Sequence, residues 1–213
     1  MPTIVPRIND HQLGDIVQFA KNWIPVVKGI HFQPVSYLGR YPRSPIDEDR
    51  ITIPDVITAL ETQTRGELKS EDFLPSQVDE SHCSFSSFFI LTGEEKLQSL
   101  GGIAGEKVTD QSSGIIIPEE NSRRFMAEHW RINESCCQTG NKDDFFEQLL
   151  ENNLTISCMP FQDIWNLDLD RLRACCGQLV TQDRRIIPFC AYYLTSVKGR
   201  RLYSDILGED RDS

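Results

Sequence analysis

No apolar run in these 213 residues approaches the ~18 that suggest a membrane-spanning helix, so no span is expected. Positive charge is also short: 22 Lys and Arg stand against 32 Asp and Glu, a formal net charge of -10. Nucleic-acid backbones are bound by cations that neutralise phosphates, and anionic lipid asks for the same, so neither partner is expected. The first residues carry Arg7, Asp10, His11 and Asp15 with no continuous apolar stretch, which argues against a secretory leader. Gly101-Gly102-Ile103-Ala104-Gly105 follows a short polar helix pattern and lacks the lysine of a phosphate-binding loop. Ser84, Ser86 and Ser87 stand in no strand-turn-helix context of the kind that presents a nucleophile. His11, His31, His82 and His129 show no His-x3-His spacing, and no cysteines fall at Cys-x2-Cys spacing, which weakens a zinc reading without removing it. No internal repeat is present.

What is plentiful is cysteine. Cys83, Cys136, Cys137, Cys158, Cys175, Cys176 and Cys190 make an odd count with two vicinal pairs, a poor disulfide framework. With no leader, a reducing, cytoplasmic setting is expected. There, clustered thiols serve as metal ligands or as small buried side chains more often than as bridges.

Apolar spacing outlines the elements. Thr3-Ile4-Val5 reads as a strand with no earlier element to pair with, so its edge is expected to be free. Asn9 and Gln12 resemble a capping box ahead of a helix through Ile16, Phe19, Ala20 and Trp23 that Pro25 stops. Residues 26–35 read as a second strand, completing a parallel strand-helix-strand unit. Thr52 and Pro54 open another helix, with Val56, Ile57 and Leu60 on one face and Gly66 at its end. Strands are expected over 84–91 and 154–159, helices over 122–132, 142–151 and 164–175, and a mobile loop over 101–118. Leu179-Val180-Thr181 and Ile186-Ile187-Pro188-Phe189 form a hairpin around Gln182-Asp183-Arg184-Arg185. Asp47-Glu48-Asp49 reads as a solvated loop, and Asp168 and Asp170 as surface partners of Arg171 and Arg173.

Several of these segments resemble one family. Val5-Pro6-Arg7-Ile8-Asn9-Asp10-His11-Gln12-Leu13-Gly14 is similar to the late-barrel "VPGxND" turn of radical S-adenosylmethionine proteins. Ile30-His31-Phe32-Gln33-Pro34-Val35-Ser36-Tyr37-Leu38-Gly39-Arg40 resembles the strand that follows it. Arg50-Ile51-Thr52-Ile53-Pro54-Asp55-Val56 with Gln63-Thr64, and the block from Phe161-Gln162-Asp163-Ile164-Trp165 to Arg185-Ile186-Ile187-Pro188-Phe189-Cys190-Ala191-Tyr192, resemble one subgroup, the tetraether lipid synthases and related uncharacterised radical proteins. Each piece is short; their shared order along the chain makes the resemblance specific.

The resemblance implies an α/β fold: a remnant of a partial (β/α) radical-enzyme barrel over residues 1–66, an α+β Cys-containing region over 67–207, and an acidic tail over 208–213. It implies that Asn9 and Gln33 face the barrel mouth, near cofactor or substrate. The plainer alternatives are a helix N-cap for Asn9 and an interior polar residue paired to a neighbouring strand for Gln33. It further implies an auxiliary 4Fe-4S cluster on Cys83, Cys176 and Cys190, with Cys175 or His82 as a fourth ligand where the family's additional cysteine, near Val78 or Asp79, is lost. Cys158, Cys136 and Cys137 fit better as small structural residues.

Two departures stand out. The Cys-x3-Cys-x2-Cys loop that holds the family's radical cluster occurs nowhere in the chain, and Arg7 stands where the family's turn has Gly. The chain is therefore expected not to be catalytic alone, and to use S-adenosylmethionine only with a complementary N-terminal half. A split subunit, a gene remnant and a start downstream of the true one, since Met1 falls within the family's continuous strand, all give such a chain. A non-enzymatic iron–sulfur or metal-binding partner and a metal-free degenerate protein are the alternatives.

Overall fold

The computed structural model describes residues 1–39, 41, 43–73, 75, 83–99, 151–196 and 198–203. Its main feature is a five-stranded mixed sheet in the order β1-β2-β5-β3-β4. These strands are β1 (Thr3–Ile4), β2 (Gly29–Pro34), β3 (Phe85–Leu91), β4 (Leu97–Ser99) and β5 (Asn153–Cys158). β1, β2 and β5 run parallel, while β3 pairs antiparallel with β5 and with β4. Among the described strands β1 pairs only with β2 and stands at the sheet edge.

Between β1 and β2 lies α1 (Leu13–Asn22), and α2 (Ile53–Gln63) follows β2. Successive strand side chains point to opposite faces. The face toward α1 and α2 is apolar: Ile4, Ile30, Phe32, Phe85, Phe89, Leu154, Ile156 and Cys158 bury with Leu13, Val17 and Ala20 of α1 and Val56 and Leu60 of α2 in one core. That core joins residues on both sides of position 66, because β5 inserts between β2 and β3. A second, smaller cluster holds Ile187, Ala191 and Leu194 against Leu167 and Leu172. It is built on the hairpin β6 (Gln178–Val180) and β7 (Ile186–Pro188), α3 (Leu169–Arg173) and α4 (Phe189–Tyr192).

α2 begins as its sequence dictates. The Thr52 hydroxyl accepts from Asp55 N, the Asp55 carboxylate accepts from Thr52 N at 2.8 Å, and Pro occupies the first turn. Its last residue, Gln63, clamps the start of α1: Oε1 accepts from Gly14 N at 3.0 Å, and Nε2 donates to Asp10 O at 2.8 Å. A Cβ on Gly14 would lie 2.8 Å from Gln63 Cβ, so this approach of the two helices requires glycine.

Some expectations need correcting. The Asn9/Gln12 capping box does not form: α1 starts at Leu13, and Gln12 at its cap position makes no side-chain hydrogen bond there. The expected helix over 164–175 shrinks to Leu169–Arg173, because Asp163 and Asp168 take backbone N–H groups with their carboxylates. Asp163 accepts from Trp165 N, and Asp168 from Asp170 N and Arg171 N. Cys190, which follows the hairpin, lies in the short helix α4. Asp49 is not a freely solvated loop residue, since its carboxylate pairs with Arg7. The helices expected over 122–132 and 142–150, the mobile loop over 101–118 and the acidic tail lie outside the described residues.

The turn after β1 keeps the conformation that glycine would give it. Arg7 has φ 63°, a left-handed backbone that costs an L-residue roughly 1–2 kcal/mol. Its guanidinium pairs with Asp49. Arg7→Gly and Arg7→Val both remove that pair, so their difference isolates the backbone. Arg7→Val is expected to be less stable than Arg7→Gly by about 1–2 kcal/mol in urea unfolding. Equal stabilities would show that the turn relaxes to negative φ.

Candidate functional site: a polar sheet face and a thiol group

The sheet face away from the helices is polar where the three parallel strands meet. Thr3 stands beside Gln33, and His31 beside Ser157, which in turn neighbours Ser86. His31 Nδ1 lies 3.0 Å from the Ser157 hydroxyl. Burial holds the imidazole below its ordinary value, and the Gln33 carboxamide two residues along works against that shift. Gln33 is 7% exposed; Nε2 donates to Pro34 O at 3.3 Å, and the buried Oε1 has no well-directed hydrogen-bond partner. A buried polar atom left this way costs free energy until some donor reaches it.

Asn9 is placed differently. Its Oδ1 accepts from Val5 N at 2.7 Å and its Nδ2 donates to Thr3 O at 2.8 Å. Both polar ends fasten the turn to β1, and Asn9 does not cap α1.

Cys83 precedes β3 and is half-buried, Cys175 follows α3, Cys190 is buried in α4, and Cys176 is exposed. Burial pushes the Cys190 thiol up. The Gln162 backbone N–H, 3.5 Å from its sulfur, opposes this; negative charge on Cys175 and Cys83 adds to the rise, and Arg171 counters it. Arg171 Nε donates to Cys83 Sγ at 3.0 Å, and Nη2 donates to Pro160 O at 2.8 Å. Cys158 shows the contrast: it lies on the apolar face, and burial alone pushes it up to about 12, as for an inert core thiol.

Among the described residues no group of three or more His, Cys, Asp or Glu side chains is gathered to hold one metal ion. The thiols are thus not placed as a single-ion centre. His82, Cys136 and Cys137 lie outside the described residues. Arg171 was missed from sequence because Asp168, three positions earlier, is the obvious partner; Asp168 instead caps α3, and Arg171 reaches 88 positions back.

Behind the thiols, Asp163 joins the two regions. Fully buried, it accepts from Tyr37 N at 2.8 Å and from both terminal nitrogens of Arg50, at 3.1 and 2.9 Å. The same segment aims Gln162 N at Cys190 and packs Phe161 against Phe189, ring centres 4.8 Å apart with the planes tilted by 42°.

No family model matches the chain. Among curated proteins it is similar to the 7,8-dihydro-6-hydroxymethylpterin dimethyltransferase of Methanocaldococcus jannaschii, with 30% identity over 241 residues that take in 90% of this chain and 47% of that protein. The chain spans about half the length of the curated relative it matches. The similarity supports the radical S-adenosylmethionine family and lends nothing to the tetraether lipid synthase subgroup. No helix among the described residues is long and apolar enough to cross a membrane.

Proposed function

We propose that this chain is a C-terminal part of a radical S-adenosylmethionine protein of the methyltransferase kind, binding an auxiliary iron–sulfur cluster and not catalytic alone. The observation that carries the reading is the 30% identity, across nine-tenths of the chain, with a pterin dimethyltransferase. It agrees with the ordered motifs of residues 5–14, 30–40 and 161–192. It also agrees with a parallel β1-α1-β2 unit whose helices cover one sheet face while the other presents Thr3, His31, Gln33 and Ser157. In a closed barrel that second face would line the interior.

On this reading the cluster that cleaves S-adenosylmethionine comes from a complementary N-terminal half, since the chain has no Cys-x3-Cys-x2-Cys. By the resemblance, Cys83, Cys176 and Cys190 would hold the auxiliary cluster, with Cys175 or His82 as the fourth ligand. Such a cluster supplies electron transfer, or an open iron for a ligand. The chain's own part is to hold the thiols and to offer hydrogen bonds from the polar face. A flat, polar heterocycle of the pterin type, the relative's named substrate, is the class that Gln33 Oε1 and its polar neighbours would suit, as acceptors for ring N–H groups.

A metal-free protein is the competing reading, favoured by the lack of a gathered single-ion group among the described residues. Anaerobic reconstitution with iron and sulfide quantification separates the two. We expect iron, acid-labile sulfide and a brown visible band in the wild type. Most of each should be lost in Cys83→Ser, Cys176→Ser and Cys190→Ser. A colourless wild type that stays folded with chelator would establish the metal-free reading.

A further inference from the structure

We infer that Asn9 is an edge latch: its carboxamide takes the place of a neighbouring parallel strand on the outer side of β1, and so keeps other strands from adding to the sheet there. The inference rests on hydrogen-bond geometry and is independent of the radical-protein reading.

The peptide groups of successive strand residues point to opposite sides of the strand. Pro2 O and Ile4 O accept from Gln33 N and Val35 N, on and just after β2, both at 2.9 Å. Thr3 O and Val5 N therefore point the other way, toward the edge. Asn9 takes both of them: Nδ2 donates to Thr3 O at 2.8 Å, and Oδ1 accepts from Val5 N at 2.7 Å. In a parallel ladder, a strand residue opposite Ile4 makes these same two bonds. It donates to the residue before Ile4 and accepts from the residue after it. A carboxamide carries the donor and the acceptor that such a residue would bring. Asn9 thus closes one rung without supplying a strand.

The opposite edge of the sheet is closed in the same manner by a different residue. Thr92 N donates to Lys96 O at 2.9 Å, which turns Lys96 toward β3 and leaves Leu97 facing outward from β4. Leu97 N donates to Glu67 Oε1 at 2.8 Å, and Lys21 Nζ holds that same oxygen at 2.6 Å. Unpaired edge groups act as templates for another strand, and at both ends of this sheet a side chain from outside the sheet occupies them. A strand from any partner would join β1 at Thr3 and Val5 only by displacing Asn9.

The test uses the full chain as wild type, Asn9→Ala and Asn9→Ala/Thr3→Pro. Amide hydrogen exchange is followed by NMR, and association by sedimentation velocity over a range of concentrations. The wild-type Val5 amide should be protected. In Asn9→Ala at low concentration it should exchange about tenfold faster, a factor that one hydrogen bond supports. The Val35 amide, bonded to Ile4 O on the other side, should keep its rate. At higher concentration Asn9→Ala should sediment as larger species while the wild type does not. Thr3 N faces outward, so proline at that position blocks an added strand and spares the bonds to β2. The double variant should therefore return to the wild-type sedimentation. An unprotected Val5 amide in the wild type would overturn the latch. So would an Asn9→Ala chain that sediments as the wild type does, or an association that proline at position 3 leaves unchanged. If Asn9→Ala does not fold, as judged by circular dichroism, Asn9 serves the turn and the inference is wrong.

Discussion

Asp163→Asn is expected to lower the unfolding free energy by about 3–5 kcal/mol, the usual cost of removing one partner of a buried ion pair. Asp163 is 0% exposed, and the Arg50 side chain 19%. The carboxylate takes both terminal nitrogens of Arg50 and two backbone N–H groups, those of Tyr37 and Trp165. An amide has one acceptor oxygen and two donors, so Asn turns N–H toward N–H somewhere in this arrangement. Arg50, which also lies over the Tyr37 ring with its central carbon 5.5 Å from the ring centre, keeps a charge with nothing to answer it. Urea unfolding of Asp163→Asn, Arg50→Gln and the double variant gives the coupling. The double variant should lose clearly less than the sum of the singles, because the second change removes the stranded charge. Additive losses, or a single-variant loss under about 1 kcal/mol, would show that the pair does not join the sheet to the hairpin region. Because the Asp163 segment also directs Gln162 N at Cys190, the variant's thiols should alkylate faster in the absence of metal.

The second large effect belongs to the sheet. Phe32→Ala is expected to cost about 3–5 kcal/mol, transfer and cavity contributions together. Phe32 is 0% exposed and lies in a row with Cys158 of β5 and Phe85 of β3, across the three middle strands. Rigid strands on either side limit how far the site can close over the gap. Phe19→Ala on α1 provides the control. That ring is 59% exposed, contributes to no buried cluster, and should change stability by no more than about 0.5 kcal/mol. Chemical denaturation of the two variants side by side checks both; similar losses would mean that the apolar face of the sheet is misassigned.

How much of this was legible in the sequence depends on whether the deciding contact is near or far along the chain. α2 was readable because Thr52, Pro54 and Asp55 settle its start within four residues. The hairpin was readable because alternating apolar residues flank a short polar turn. The helix over 164–175 was overextended because the periodicity of Leu167, Leu169 and Leu172 says nothing of Asp163 and Asp168 taking N–H groups the helix needs. The site divides in the same way. Cys83, Cys175, Cys176 and Cys190 stand out by residue type and resemblance, and they lie before β3, after α3 and in α4. The resemblance puts Gln33 at the barrel mouth, and Gln33 lies on the sheet face opposite the helices. Arg171 and the true place of Asn9 were hidden. The first depends on a contact 88 positions away, and the second on a backbone turn that closes only when Arg7 adopts positive φ. The position of β5 between β2 and β3 was hidden as well, since a list of strands carries no order.

That order has a consequence for how the chain is made. His31 and Ser157, neighbours across the parallel β2–β5 pair, are 126 positions apart. At about 5–20 residues per second of synthesis, roughly 6–25 s pass between the appearance of β2 and that of its inner partner. During that interval Ile30 and Phe32 have α1 and β1 for company, and one side of β2 offers unpaired backbone groups to any passing strand. Pairing across so long a separation is also slow in a finished chain, because loop closure must precede the contacts that repay it. Until Cys158 has been made, the middle of the sheet cannot close.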